Sequence, residues 1–376
     1  MVDLPVPLAE GTELPVPIES ALLDTPAVLI DLDIVDGNIE RMAALAKRQG
    51  VALRPHVKTH KSPTMARRQM DRGAVGICVA KVSEAEVMAA AQIPDITIAY
   101  SIVGRAKLNR LAGLVGSTRL TLVADSETVL RGYEAVAEST GSSLEVLVEV
   151  DSGMHRVGVD PEAVLALADS IRSSRYLSFG GLLTHAGHAH DASDSAGVEL
   201  VARDEARILG ALREELEGAG FEVKTVSAGS TLTAPFLSAG DGITEIRPGT
   251  YIYNDLRTVA CWSATYDQIA ATMLVTVVST QGERVTVDAG NKTLTLTKEE
   301  AFGFGHVLGR TEMVVVRLSE EHGVLNSPTY SPSVGERLRI LPIHVCVWMD
   351  LQAEVYGIRN GSVVERIALP AMRHSL

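Results

Sequence analysis

Long apolar runs are missing from this 376-residue chain. The longest, such as ATMLVTVV at 271–278, falls well short of the ~20 residues that cross a bilayer, and no basic segment followed by an apolar stretch stands at the N-terminus. These absences exclude a membrane-spanning helix and a secretion signal, and predict a soluble, cytoplasmic protein. Cysteine is scarce. Residues 78, 261 and 346 are an odd number with no CxxC pair, so a disulfide framework is not expected and a reducing compartment fits. A basic block is also lacking: the formal net charge is -13, which argues against nucleic acid as a partner. Any anionic ligand must then be met by local donors rather than by the overall field. What is plentiful is apolar residues, 46% of the chain, enough for one large core and a smaller one.

The first 23 residues, with LPVPLAEGTELPVP, read as an extended arm without a fold signal. AVLIDLD (27–33) suits a strand, and Val35, Ile39, Met42 and Ala46 then follow a helical period with Gly50 as its stop. Candidate strands recur at 52–57, 76–80, 95–100, 119–125, 145–151, 179–185, 224–228 and 244–247, with helical stretches such as KVSEAEVMAAAQ between most of them. Eight such strands predict an α/β fold built on a (β/α)8 TIM-like barrel. After about residue 255, β-branched runs broken by Gly and Asn-Gly turns predict a C-terminal antiparallel β domain, to which strand 27–33 could return. The expected division is an arm and strand over 1–34, a barrel over 35–255 and a β domain over 256–376.

Against that acidic background, LRPHVKTHKS (53–62) concentrates five basic or imidazole side chains. Alternation along a strand would turn Arg54, His56 and Lys58 to one face and set Lys58 at the C-terminal mouth of the barrel, where function collects. A lysine there serves either as a point charge for an anion or as a desolvated amine that forms a Schiff base. His60 and Lys61 read as solvated loop. EVDSGMHRVG (149–158) brings Asp151, His155 and Arg156 into one turn, and LLTHAGHAH (182–190) brings His185, His188 and His190. SAGSTLT (227–233) places Gly229, Ser230 and Thr231 where backbone N–H groups and hydroxyls suit a phosphate at a helix N-terminus. An early lysine with a late phosphate cradle points to pyridoxal 5'-phosphate. In PIHVCVWMD (342–350), His344 and Cys346 at i, i+2 on a strand would share a face and suit Zn²⁺ or a similar ion, with Asp350 a weaker third candidate; a buried thiol beside a satisfied imidazole is the plainer alternative.

Taken in order, TPAVLIDLD, RPHVKTHKS, GICVAKVSEAE, EVDSGMHRVGV, SAGST, EIRPGTYIYND, DAGNKT, EEHG and IHVC resemble the metal-activated pyridoxal enzymes that include D-threonine aldolases and D-serine dehydratases. The matches span about residue 24 to 370. The resemblance implies an alanine racemase-type architecture (fold type III), commonly a homodimer, and a lyase that uses pyridoxal 5'-phosphate and a divalent metal (Mn, Zn, Mg or Co). It implies Lys58 as the Schiff-base lysine, Arg156 near the phenolic oxygen of the cofactor and His185 in the cofactor pocket. Ser230 and Thr231 with Gly229 and Gly249 would hold the phosphate, Tyr251 would stand close to it, and His344 with Cys346 would be the metal pair. The expected substrate is a small D-3-hydroxy amino acid. Cleavage to glycine and an aldehyde, as in D-threonine aldolase, is the first expectation. Dehydration of D-serine or 3-hydroxy-D-aspartate is the alternative that His-x-Cys favours. An amino-acid racemase and a non-catalytic carrier of the cofactor are further alternatives, and neither has a use for the His-x-Cys pair.

Overall fold

The structure is a computed structural model, described over residues 7–373. Two compact units emerge, one of Glu40–Lys58 and Pro63–Gly249, the other of residues up to Ile39 with Thr59–Ser62 and Thr250–Arg373. The helical period read at Val35, Ile39, Met42 and Ala46 belongs to helix Leu32–Gln49, in which all four are buried. Asp33 in its first turn and Lys47 and Arg48 in its last match the helix dipole, and Gly50 ends it at φ +72°.

The first unit is the barrel. Strands Ala52–Leu53, Ile77–Val79, Asp95–Ile98, Arg119–Ala124, Leu144–Val150, Leu177–Thr184, Thr225–Ala228 and Glu245–Ile246 are parallel neighbours in chain order, and the last pairs with the first. A single bridge between His56 and Cys78 joins first to second and closes the ring. The eight-strand barrel expectation is met. Val123, Leu147 and Leu183, on three successive strands, pack together in one cluster. Gly181, at φ +135° beside a bulge at Val146/Leu147, could not carry a Cβ, which would stand 1.9 Å from the Thr225 carbonyl oxygen.

In the other unit, strands Ala271–Gln281, Arg284–Val287, Gly323–Asn326, Arg310–Leu318, His306–Val307 and Arg337–Leu341 form an antiparallel ring, closed by pairing of 271–281 with 337–341. Ala27–Asp31 extends this sheet, antiparallel to 271–281 and parallel to Glu354–Arg359, so one pairing departs from the expected antiparallel pattern. Asn360-Gly361, both at positive φ, turns the chain into Ser362–Ala368.

The N-terminal segment, which carries no fold signal in its sequence, is packed in place: Leu8 and Leu23 are fully buried, and Val16–Pro17 pairs with Ser362–Ala368. The Arg337 guanidinium donates to the carbonyls of Ile18, Ser20 and Leu23 at 2.9, 3.0 and 2.8 Å. Proline-rich chain lacks a helical or strand period, so only these long-range partners define its path. Among the described residues, no helix is long and apolar enough to cross a membrane.

Candidate active site

In the barrel unit the basic stretch departs from a simple strand. Pairing stops at Leu53, His56 makes the closing bridge, and Val57–Thr59 is a 3₁₀ turn that carries Lys58. The shared face predicted for Arg54, His56 and Lys58 is therefore broken. Arg54 is buried and donates to Glu245 at 2.7 Å and Asp95 at 2.5 Å, two residues that open their strands, so it closes the N-terminal end of the barrel rather than facing a ligand. Neutralising an inward guanidinium needs carboxylates nearby, and the strand starts supply them. Lys58 is half-buried and makes no ion pair among the described residues. His60 and Lys61 are buried, against the solvated-loop reading, and Lys61 Nζ pairs with Asp350 at 2.6 Å.

Around Lys58 the charges converge. Burial, followed by the positive charges of Lys58 and Arg247, with His185 and Arg156 adding to the same effect, holds the His56 imidazole well below its usual range, so His56 and His185 would not be charged together. His185, just past strand Leu177–Thr184, is lowered in the same way by burial, then Lys58, Arg247, Arg156 and His190. Both rings are therefore uncharged at neutral pH. Arg247 is buried, donates to Ser227 Oγ at 2.6 Å and to the Thr184 carbonyl, and is thereby fixed among the strand ends.

Arg156 lies exposed in the loop after strand Leu144–Val150. Asp151 builds that loop by accepting from the amides of Gly153 at 2.9 Å and His155 at 3.0 Å, and its carboxylate lies 3.0 Å from the His155 ring. These donors overcome burial and keep the Asp151 carboxyl below its usual range. Glu149, Val150, Asp151, Met154, Arg156, Val157 and His185 line a small open cleft. His188 and His190 sit on the 3₁₀ turn Gly187–Asp191.

The phosphate cradle needs correction. Strand Thr225–Ala228 leads not into an α-helix but into a turn and the short 3₁₀ segment Ala234–Phe236. Gly229, at φ +81°, gives its N–H to the buried carboxyl of Glu205 at 3.0 Å. The Ser230 N–H donates to Thr233 Oγ1 at 2.9 Å, and Ser230 Oγ accepts from the Leu232 and Thr233 amides at 3.2 and 3.3 Å. A Ser/Thr turn thus shapes the loop, because these side chains compete with a helix for the same backbone groups. Thr231 is buried, and Gly249 ends the barrel unit. Tyr251 is buried in a 3₁₀ turn, Thr250–Ile252, of the other unit.

That unit holds the metal-pair candidates. The expected strand over 342–350 is instead a helix, Val345–Asp350, with His344 as its N-cap and Cys346 in its first turn. The two side chains still meet, by a hydrogen bond between imidazole and thiol. Asp255, fully buried, accepts from the Val345 N–H at 3.0 Å and holds His344 Nδ1 at 3.2 Å; it also caps helix Leu256–Ala260 through the Thr258 N–H at 2.8 Å. Burial would lower His344, but hydrogen bonds to Asp255 and Cys346 outweigh it and raise the ring to about 10. Cys346 Sγ lies 3.3 Å from Thr59 Oγ1 and 3.9 Å from Thr250 Oγ1. Among the described residues there is no group of three His, Cys, Asp or Glu able to hold a metal ion, and Asp350 is paired with Lys61. An imidazole fixed through one nitrogen by a buried carboxylate, beside a thiol, fits a two-ligand site with open positions.

Residues 30–256 match the family described as alanine racemase, N-terminal domain, and residues 270–358 match the putative serine dehydratase domain. The chain belongs to this family of alanine racemase-fold pyridoxal enzymes. It is 34% identical to D-threonine aldolase of Arthrobacter sp over 97% of this chain and 95% of that one. It is 35% identical to D-threo-3-hydroxyaspartate dehydratase of Delftia sp. strain HT23 over 86% and 91%. The crystal structure of D-threonine aldolase from Filomicrobium marinum superposes with a TM-score of 0.87 at 31% identity, covering 97% and 100%. Membership makes the chain an enzyme and a lyase. In this alanine racemase-fold lyase, Arg247, Glu149, Glu205 and Asp255 also stand in or around the site, beyond the residues that the sequence motifs single out. Glu149 carried a signal, a charged residue on the inward parity of EVLVEVD; so did Asp255, with Thr three positions on as a capping box.

Proposed function

We propose that this enzyme is a pyridoxal phosphate- and divalent metal-dependent lyase of D-3-hydroxy amino acids, of the D-threonine aldolase type. The observation that carries this reading is the convergence of Lys58, Arg156 and Arg247 on two uncharged imidazoles in a chain of net charge -13. Such a local surplus of positive charge calls for an anionic ligand, and an amine with no ion-pair partner among the described residues suits covalent attachment of an aldehyde cofactor. The donor set therefore fits the cofactor.

Pyridoxal phosphate, when bound, supplies an electron sink for a bond to the substrate's Cα. Lys58 would hold it, Arg156 and His185 would border it, and the turn at Gly229, Ser230 and Thr231, with Gly249 and Tyr251, would take its phosphate end. His185, kept uncharged, is ready to accept the β-hydroxyl proton at a ring nitrogen while the Cα–Cβ bond breaks, giving glycine and an aldehyde. His344 and Cys346 would hold the metal, Mn, Zn, Mg or Co, which supplies Lewis acidity toward oxygen; Asp255 orients the imidazole. The thiol at Cys346 favours the second reading, a D-serine or 3-hydroxy-D-aspartate dehydratase releasing a 2-oxo acid and ammonia.

The test is product analysis with D-threonine and D-serine in the presence of cofactor and Mn²⁺ or Zn²⁺. Glycine and acetaldehyde, lost in Lys58→Ala and on chelation, support the aldolase. Ammonia with 2-oxobutanoate or pyruvate overturns it in favour of the dehydratase. Borohydride reduction followed by peptide mapping should place the cofactor on Lys58.

A further inference from the structure

The basic stretch LRPHVKTHKS carries more than Lys58, and the residues after that lysine have no part in the reaction just described. Thr59–Ser62 and helix Val345–Asp350 belong to the same unit. Thr59, at the end of the 3₁₀ turn Val57–Thr59, is fully buried, and among the described residues its hydroxyl makes one hydrogen bond, with Cys346 Sγ at 3.3 Å. Two residues on, Lys61 takes a left-handed backbone at φ +53° and sends Nζ to Asp350 Oδ1 at 2.6 Å, at the other end of that helix. The same oxygen accepts from the Arg373 N–H at 2.9 Å, and the Ser62 N–H turns back to His60 Nδ1 at 3.1 Å. Cys346 and Asp350 lie four residues apart on one helical face, so contacts at both keep the segment in register with the thiol.

A buried hydroxyl aimed at a sulfur has a direction that depends on the sulfur's proton. A thiol can donate or accept, and either atom of the Thr59–Cys346 pair can supply the hydrogen. Metal binding removes the thiol proton, and a thiolate only accepts. The Thr59 hydroxyl is then the donor, and Thr250 Oγ1, at 3.9 Å from the same sulfur, is a longer second one. An O–H pointed at a thiolate draws electron density from it and makes it a harder ligand. Thiolate softness is what favours Zn²⁺ over Mn²⁺ or Mg²⁺.

We propose that Thr59 is a positioning residue for Cys346: its hydroxyl donates to the metal-bound thiolate and thereby widens the range of ions at this site toward harder ones. Lys61, paired with Asp350, keeps that hydroxyl in place. Because Cys346 is taken to be a metal ligand, the proposal rests on the functional reading above.

The full-length protein, freed of metal by chelation, is titrated with Zn²⁺ alone and with Mn²⁺ alone in wild type, Thr59→Val and Thr59→Ser. The quantity read is the ratio of the two dissociation constants, because the same thiol loses its proton to either ion and that cost cancels. Thr59→Val removes the hydroxyl and is expected to raise the preference for Zn²⁺ on the order of fivefold, the worth of one hydrogen bond. Thr59→Ser restores the hydroxyl and keeps the wild-type ratio. A ratio unchanged in Thr59→Val, or shifted equally in Thr59→Ser, overturns the proposal, since lost packing weakens both ions alike or follows the methyl group. Thr59→Ala, with the same shift expected, takes the place of Thr59→Val if the latter does not fold. Co²⁺ gives a reading independent of affinity: its thiolate-to-metal charge-transfer band moves to longer wavelength without the hydroxyl, and a band that stays put overturns the proposal. In a Cys346→Ala background the effect of Thr59→Val on the ratio is expected to vanish; its persistence shows that the hydroxyl does not act through the sulfur. Wild-type protein that binds neither ion, or whose Co²⁺ form has no thiolate band, overturns the metal reading of His344 and Cys346 and the proposal with it. Wild-type binding with a ratio indifferent to Thr59 overturns the proposal alone.

Discussion

A carboxyl and an imidazole set the terms at the residue scale. Glu149 titrates at about 7 rather than its ordinary 4.5 because burial penalises the charge. The native state therefore binds this proton more tightly than the unfolded chain. Its stabilising contribution is full below about 4.5 and is lost as pH rises through about 7. Glu149→Gln, neutral throughout, is expected to melt higher than wild type at pH 8 by the equivalent of about 3 kcal/mol, with that advantage falling below about 1 kcal/mol at pH 5. Paired calorimetric scans at the two pH values check this. Asp255 presents the opposite case, a buried carboxylate with every partner in place. Asp255→Ala leaves the Val345 and Thr258 amides without their acceptor and frees the His344 ring. A loss on the order of 3 kcal/mol in denaturant unfolding is expected, with metal affinity down about 10- to 100-fold by titration calorimetry.

Backbone proximity governs the elements. Strands Leu177–Thr184 and Thr225–Ala228 approach so closely at Gly181 that a Cβ would meet a carbonyl oxygen, and the left-sided φ compounds the strain. Gly181→Ala should cost more than about 2 kcal/mol, read as a fall in urea midpoint with an unchanged slope, because the obstacle is backbone rather than a movable side chain. A comparable barrier stands at Gly76, where a Cβ would lie 2.4 Å from Arg54 Nη1 and 2.8 Å from the Asp95 carbonyl oxygen. The eight barrel strands were legible because short apolar runs alternated with helical periods. Helix Val345–Asp350 was not, since IHVCVWMD is a short apolar run that strand and helix fill equally well. Asp255, far away in sequence, decides between them by accepting from the Val345 amide.

For the whole molecule, the N-terminal segment matters more than its composition indicated. Leu8, Val16 and Leu23 pack with Leu29, Leu274 and Tyr356 in one cluster, and Arg337 and Arg366 hold the segment by its carbonyls. Each fully buried leucine is worth roughly 1.5–3 kcal/mol. Removing residues 1–23 should therefore lower the melting temperature markedly and expose apolar surface, detectable by dye binding and by loss of soluble protein. Truncation of a solvated arm would leave both unchanged.

Sequence by itself determined the architecture and the chemical cast. Periodicity is local, so EVLVEVD and its seven counterparts announced a barrel, and ordered motifs from TPAVLIDLD to IHVC announced the family. Only the tertiary structure decided which charges act and which merely pair. Arg54 and Lys58 lie four residues apart, yet Arg54 is neutralised by Asp95 and Glu245 from distant strands, while Lys58 pairs with no carboxylate among the described residues. Burial and partners across the barrel set protonation, and neither is a property of neighbouring letters.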